Sequence, residues 1–342
     1  MSYQITWFVL WGVLWAVYFM LDGFVLGTGV LHPLVAKTDG ERRSVINSIG
    51  PVWDGNEVWL ITAGGATFAA FPTTYAAMFS YLYTALLLLL FALIVRGVAF
   101  EFRGKGEGDR WRRSWDKAIF VSSLVPALLF GVAFGNIFQG LPMDGAGYHG
   151  SLVGLLNPYG LVTGILFVLL FVVHGALYLS LKTDGELRQR AETTAARTWP
   201  ALLVVAATFL VHTWFATGLY DNFLSHPALF VVPALAVAAL AGIRIFLSQG
   251  SLGRAFTSSC ATILLVVGTG LTGLFPNLIP SSIDPKFNLD IYNSSSSLYT
   301  LRIMTIVAFI FVPIVIAYKI WVYRVFRHPV TAEEIADNVH PY

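Results

Sequence analysis

Charge and cysteine are what this chain has least of. Of its 342 residues 12% are charged and 56% hydrophobic, and the mean hydropathy is +0.71. A soluble domain carries about a quarter of its residues as Asp, Glu, Lys or Arg, so the shortage excludes an ordinary water-soluble globule. An all-α integral membrane protein is expected instead. The single cysteine, Cys260, excludes an intrachain disulfide and a site built of several thiolates. The opening MSYQIT has no basic residue, the apolar run behind it is too long for a signal-peptide core, and no small-residue cleavage pattern follows. That run is therefore expected to be a retained span. A net charge of +2 gives no reason to expect a nucleic-acid partner.

Long apolar runs are what the chain has most of. A bilayer core of about 30 Å needs about 20 apolar residues of helix. Nine such runs lie near 5–31, 53–71, 74–99, 117–139, 155–181, 200–218, 228–247, 256–277 and 299–323. Eighteen of the twenty-one Lys and Arg residues fall in alternate connections: 32–52, 101–117, 182–199, 244–255 and 319–327. The positive-inside rule places those connections in the cytoplasm, the N-terminus outside and the C-terminus inside. Trp7 and Trp11 at one end, and Trp53, Trp111, Trp115, Trp199 and Trp321 near the other, fit interfacial aromatic belts.

The stretch GPVWDGNEVWLITAGGATFAAFP at 50–72 opens the second run with two acids. Asp54 and Glu57 have the N-cap and N3 spacing of a capping box, and both suit the positive end of a helix dipole. Capping leaves Asp22 unexplained. It sits inside the first run, in LDGFVLGTGV at 21–30, about 15 Å before the cytoplasmic end. Acids at such depth are expensive and often mark ion or proton routes. Gly23, Gly27 and Gly29 beside it, and Gly64 and Gly65 in the second run, are positions where another backbone can approach closely. Arg96 and Glu101, near the inner end of the third run, are candidate ion-pair or interface partners, with snorkelling to the interface as the alternative. Ser294 to Ser297 are placed to cap the start of the last run.

The pentapeptide KTDGE occurs at 37–41 and again at 182–186, each time followed by arginines and then a Trp, Trp53 and Trp199. This suggests a parallel repeat of four helices with a ninth left over.

Several ordered motifs resemble one family across the whole chain. They are DGFVLGTGVL at 22–31, ERRSVINSIGPVWDGNEVWLITAGGATFAAFP at 41–72, RGVAFEFR at 96–103, GVAFGNIFQGLP at 131–142, LLNPYGLVTG at 155–164 and LFPNLIPSS at 274–282. The sequence is similar to subunit II of the cytochrome bd quinol oxidases. The resemblance implies nine transmembrane helices, arranged as a four-helix bundle over 1–140, a second over 141–278, and an outer loop, ninth helix and cytoplasmic tail over 279–342. It implies a similarly folded subunit I carrying two haems b, haem d and the quinol site, in a bacterial cytoplasmic membrane. The complex would oxidise quinol, reduce dioxygen to water and draw protons from the cytoplasm. A small single-helix accessory subunit, membrane lipid and a bound quinone are further candidate partners.

In that family the Asp of W-D-G-N is associated with a polar proton route along the subunit interface. The resemblance thus gives Asp54 a proton-handling role beside capping, with Asp22 continuing the route inward and Glu57 as a further candidate or a cap. No cofactor or metal is expected to be held wholly by this chain. His174 and His212 are the mid-membrane histidines, at unequal depths of roughly 12 and 20 Å. His32, His149, His226, His328 and His340 fall at ends or in loops. Two rival functions remain open on the residues alone: a stand-alone proton-coupled transporter using Asp22 and Asp54, and a scaffold subunit without a proton-handling group.

Overall fold

The computed structural model describes residues 2–106 and 108–330; His340 and the rest of the C-terminal tail lie outside the described residues. The chain folds into α1 (Tyr3–Val35), α2 (Asp39–Ile49), α3 (Trp53–Ala70), α4 (Pro72–Tyr81), α5 (Tyr83–Phe102) and α6 (Asp109–Gln139), then α7 (Pro158–Lys182), α8 (Gly185–Ala216) and the short α9 (Tyr220–Ser225), and finally α10 (Val231–Ser248), α11 (Leu252–Leu274) and α12 (Leu298–Val325). Two small antiparallel pairs, β1 (Met143–Asp144) with β2 (Gly147–Tyr148) and β3 (Asn277–Ile279) with β4 (Leu289–Asp290), join the helices at one end.

Eight helices among the described residues are long and apolar enough to cross a membrane: α1, α5, α6, α7, α8, α10, α11 and α12. The second run forms its helix, α3, but Asp54, Asn56 and Glu57 in its first turns leave it outside that set. The third run is broken at Leu82 into α4 and α5 although it holds no proline there. Leu82 is buried in a cluster with Leu141, Met143 and Ile279, so packing by the connecting loops rather than local sequence sets the break. α6 and α8 begin well before their apolar runs. The i,i+4 pairs Arg188–Glu192 and Glu186–Arg190 support the polar first turns of α8, which hydropathy alone does not register.

α1 runs through the centre, packed on α3, α6, α7, α11 and α12. Small residues bring it against α7. A Cβ at Gly27 would stand 1.7 Å from the carbonyl oxygen of Phe171, and one at Gly175 would stand 2.5 Å from the Thr28 nitrogen. Without a hydrophobic drive between helices in lipid, such close packing supplies the attraction. Gly29 faces Ser123 of α6 in the same way. Gly64 and Gly65 do not: a Cβ on either would meet nothing within 4 Å, so the close approach expected there does not occur within this chain. Trp15 and Phe19 of α1 meet Phe134 edge to face with centroids 5.3 Å apart, and Phe19 meets Phe167 at 5.0 Å. Each such pair is worth about 0.5–1.5 kcal/mol beyond its buried area.

The repeated KTDGE makes two different turns. At 37–41 Thr38 caps α2 in a full capping box with Glu41. At 182–186 Thr183 closes α7, Gly185 takes φ +54°, and α8 continues unbroken past Trp199. The copies meet in space, since Arg190 pairs with both Glu41 and Glu186 and donates from Nε to the Val35 carbonyl at 2.7 Å. α12 is pinned at its ends. Trp7 Nε1 donates to the Leu301 carbonyl (3.1 Å) and to Thr305 (3.0 Å), and the Tyr323 hydroxyl donates to Asn56 Oδ1 (2.9 Å). Ser297 caps its start by accepting from the Thr300 nitrogen, while Ser296 donates to the Ala69 carbonyl.

Candidate functional site: a buried carboxylate–guanidinium cluster

Three helices each put one charged side chain into the same buried volume. Asp22 from α1 and Arg96 from α5 are both fully buried, and Glu57 from α3 is mostly so. Arg96 Nη2 lies 2.9 and 3.2 Å from the two Asp22 oxygens and 2.5 Å from Glu57 Oε1. Tyr18, one turn before Asp22, donates its hydroxyl to Asp22 Oδ2 at 3.1 Å. Arg96 Nε and Nη1 have no hydrogen-bond partner. Charges removed from water hold together only when paired and hydrogen-bonded. Here two carboxylates share one guanidinium.

The first turn of α3 differs from the capping expectation. Val52 occupies the N-cap position and no side chain caps the helix. Asp54 is exposed, and its Oδ1 accepts from the adjacent Gly55 nitrogen at 2.5 Å. Glu57 turns away from the backbone towards Arg96. Two causes displace the predicted box. The helix start is fixed by Trp53, whose ring packs over Gly97 and edge-on to Phe100 of α5. Arg96 is also the stronger partner for Glu57, because a charge-assisted bond outranks one to a neutral amide. Asn56, between the acids, donates to the Leu21 carbonyl at 2.9 Å and accepts from Tyr323, which ties α1, α3 and α12 together beside the cluster. Glu101 is exposed and makes no ion pair among the described residues, so of the two expected partners only Arg96 joins the site.

A second cluster, which the sequence pattern does not announce, lies towards the Lys- and Arg-rich end. Asp116 of α6 accepts from Arg103 Nε at 2.5 Å and from Arg42 Nη1 at 2.6 Å, with His32 Nε2 at 3.5 Å. Arg103 Nη2 also reaches Asp39 Oδ1 at 2.8 Å, and Arg112 stands 3.4 Å from Asp39 Oδ2. Partial burial alone would raise the Asp39 carboxyl, but the hydrogen bond and charge of Arg103, with Arg112 and Arg43 nearby, hold it below the usual range. Glu41 is likewise held low. Burial opposes this, and the Lys37 and Thr38 amides and Arg190 outweigh it.

Both ring nitrogens of the deepest histidine are already engaged. A haem between helices needs ring nitrogens free to bind iron. His174 is fully buried, with Nδ1 2.6 Å from Ser259 Oγ, Nε2 2.9 Å from the Met20 carbonyl, and its ring stacked on Phe256 at 4.8 Å. His212 lies edge-on to Tyr159. His32 belongs to the Asp116 cluster, and His149 pairs with Asp144 at 2.8 Å. Among the described residues no three His, Cys, Asp or Glu side chains are grouped to hold a metal ion.

Fold and site together define an all-α integral membrane protein whose buried polar groups form an ion-paired acid cluster. The sequence model of one family, cytochrome bd terminal oxidase subunit II, matches residues 3–326, and the chain belongs to that family. It is 39% identical to the "Probable cytochrome oxidase subunit 2" of Haemophilus influenzae, over 98% of this chain and 97% of the relative. Identity is 37% to the "Cytochrome bd-I ubiquinol oxidase subunit 2" of Escherichia coli K12, with the same coverage. It is 36% to the "Cytochrome bd ubiquinol oxidase subunit 2" of Bacillus subtilis, over 96% and 97%. The fold matches a chain of the bd oxidase structure from Geobacillus thermodenitrificans with a TM-score of 0.79, 16% identity, and coverage of 95% and 99%. The chain is thus a membrane subunit of a cytochrome bd-type terminal oxidase, and the stand-alone transporter reading falls away.

Proposed function

We propose that this subunit works in a quinol:dioxygen oxidoreductase whose haem chemistry, with two haems b and haem d, runs in a partner subunit I. In this reading the chain supports assembly of that partner and lines a proton route from the cytoplasm. Asp54 stands at the mouth of the route, and Asp22 and Glu57 stand inside it on either side of Arg96. α3 crosses the membrane as a ninth span, the bundles divide at about 140 and 278, the N-terminus is outside, and the tail after 330 is cytoplasmic. An accessory single helix and a bound quinone complete the proposed assembly.

The observation that carries the proton reading is the shared guanidinium. With both Asp22 and Glu57 ionised the cluster has one uncompensated negative charge in a low-dielectric setting, and one proton on either carboxyl removes it. Arg96 positions both oxygens within 3.2 Å of one nitrogen, so a proton leaving one carboxyl has the other as its near acceptor. The exposed Asp54 lies one helical turn before Glu57 on the same helix, which suits it to pass protons from water inward.

The test is oxygen uptake per haem d in the assembled complex. Glu57→Gln and Asp54→Asn should each assemble with full haem content and lose most turnover, since an amide cannot accept the transferred proton. Because Asp54 is not the N-cap, Asp54→Ala should match Asp54→Asn in activity, with a stability cost limited to the bond accepted from Gly55. Wild-type turnover in fully assembled amide variants would refute the route and leave a scaffold.

A further inference from the structure

α12 touches the rest of the chain at its two ends and stands off between them. Trp7 holds Leu301 and Thr305 at one end and Asn56 holds Tyr323 at the other. Between these ties α1, α3 and α12 enclose a slot of about 940 Å³. Leu14 and Val17 of α1, Gly65 and Ala66 of α3, and Met304 and Val312 of α12 contribute to walls that are almost wholly apolar. At the Tyr323 end the lining changes to Lys319, Arg324 and Arg327. None of the three makes an ion pair within 4 Å among the described residues. Lys319 Nζ lies over the first turn of α3, 2.6 Å from where a Cβ on Gly55 would be.

We infer that this slot binds an anionic phospholipid, with its acyl chains between α1, α3 and α12 and its phosphate headgroup on Lys319, Arg324 and Arg327. Shape and charge both select this occupant. From Met304 to Lys319 the slot runs beside α12 for about 22 Å, a length that extended acyl chains can follow. Three unpaired cations at one end, and none elsewhere along the walls, match a negatively charged headgroup at the membrane surface, as basic pockets between membrane helices do. Asp54 acts on Lys319 alone, so a neutral headgroup would leave Arg324 and Arg327 without a counter-charge. Gly65 has a definite part in this account. Any side chain placed there would project into free space, which is the space the acyl chain fills.

The complex purified from its own membrane should be stripped of lipid and titrated with phosphatidylglycerol or phosphatidylcholine, with binding read by native mass spectrometry. Three variants are compared with wild type: Lys319→Gln/Arg324→Gln/Arg327→Gln, Gly65→Leu, and a control, Arg244→Gln/Arg254→Gln, whose exposed arginines lie on α10 and α11 away from the slot. Each basic side chain near an anionic lipid strengthens binding about fivefold, so the triple variant should bind phosphatidylglycerol about a hundredfold more weakly. Gly65→Leu should also lose the tightly held lipid although its cations remain, and the control should behave as wild type. Equal phosphatidylglycerol binding in the wild-type and triple-variant complexes would overturn the assignment. So would phosphatidylcholine binding as tightly as phosphatidylglycerol, or a quinone that displaces the phospholipid from the wild-type complex. The readout is lipid retention, so it stands or falls separately from the proton route.

Discussion

The two buried charge clusters use the same residue types in opposite proportions. Around Arg96 two carboxylates converge on one guanidinium, midway along α1. Around Asp116 two guanidiniums, Arg42 and Arg103, converge on one carboxylate, with Asp39 shared by Arg103 and Arg112. The second arrangement has no vacancy for a proton, because each acid there is matched by at least one arginine. It behaves as a staple that ties α2, α5 and α6 together. The first has an acid in excess at a largely buried site. Stoichiometry thus separates a cluster with an acid in excess from a cluster in which arginines match the acids.

Removing the shared cation should have the largest effect. Arg96→Met leaves Asp22 and Glu57 buried and facing each other without compensation, and breaking a buried pair in this way costs about 3–5 kcal/mol. The expected result is loss of assembled complex, measured as haem content per protein after purification. Restoring neutrality should restore assembly. The triple variant Arg96→Met/Asp22→Asn/Glu57→Gln should recover haem content but not oxygen uptake. Full assembly of Arg96→Met alone would show that the cluster is not the electrostatic centre described here.

Asp116→Asn should come next. It weakens charge-assisted bonds from Arg42 and Arg103, each worth about 1.5–3 kcal/mol, but leaves Arg103 its bond to Asp39. Thermal stability of the complex should fall by about 2–3 kcal/mol while turnover per haem d stays at the wild-type level. This is the reverse of the pattern expected for Glu57→Gln, in which stability is kept and turnover lost. If Asp116→Asn lowered turnover per haem d as strongly as Glu57→Gln does, the division between staple and site would collapse.

How much of this was legible in the sequence follows from which forces are local. Asp22 stands out because an acid deep in an apolar run is costly wherever its partner lies, and Arg96 is a candidate partner on the same reasoning. Glu57 was misassigned for a physical reason. Spacing along one helix can show that a capping box is possible, but a guanidinium arriving from α5 decides where the carboxylate turns. The box that does form, Thr38 with Glu41, sat in plain view inside a repeated pentapeptide. Hydropathy located eight of the nine expected spans and missed the polar first turns of α6 and α8, those of α8 being supported by side-chain pairs. The Asp116 cluster is hidden because its arginines also satisfy the positive-inside pattern. Its one signal was an acid, Asp116, directly beside Trp115 at the start of an apolar run.

The smallest expected effect tests the staple at its exposed edge. Asp39 is partly exposed and its carboxyl is held low despite the burial that opposes this. A carboxyl whose folded pKa is depressed adds stability that is fully present above its unfolded value, near 3.9, and is lost as pH falls through the folded value. The contribution should therefore be constant from neutral pH down to about pH 5, begin to fall near pH 4, and be gone only below the lower folded value. At neutral pH, Asp39→Asn should lower the thermal midpoint only slightly, because Arg103 keeps Asp116 and Arg112 is already exposed to water. On acidification the variant should lose less stability than wild type, having already lost the charge that titrates. Glu41 is depressed in the same direction and remains in both proteins, so the two curves should converge without becoming flat. Parallel curves from pH 5 to pH 3 would mean that Asp39 keeps its proton equilibrium on folding and that the Arg103–Asp39 contact adds nothing to the staple.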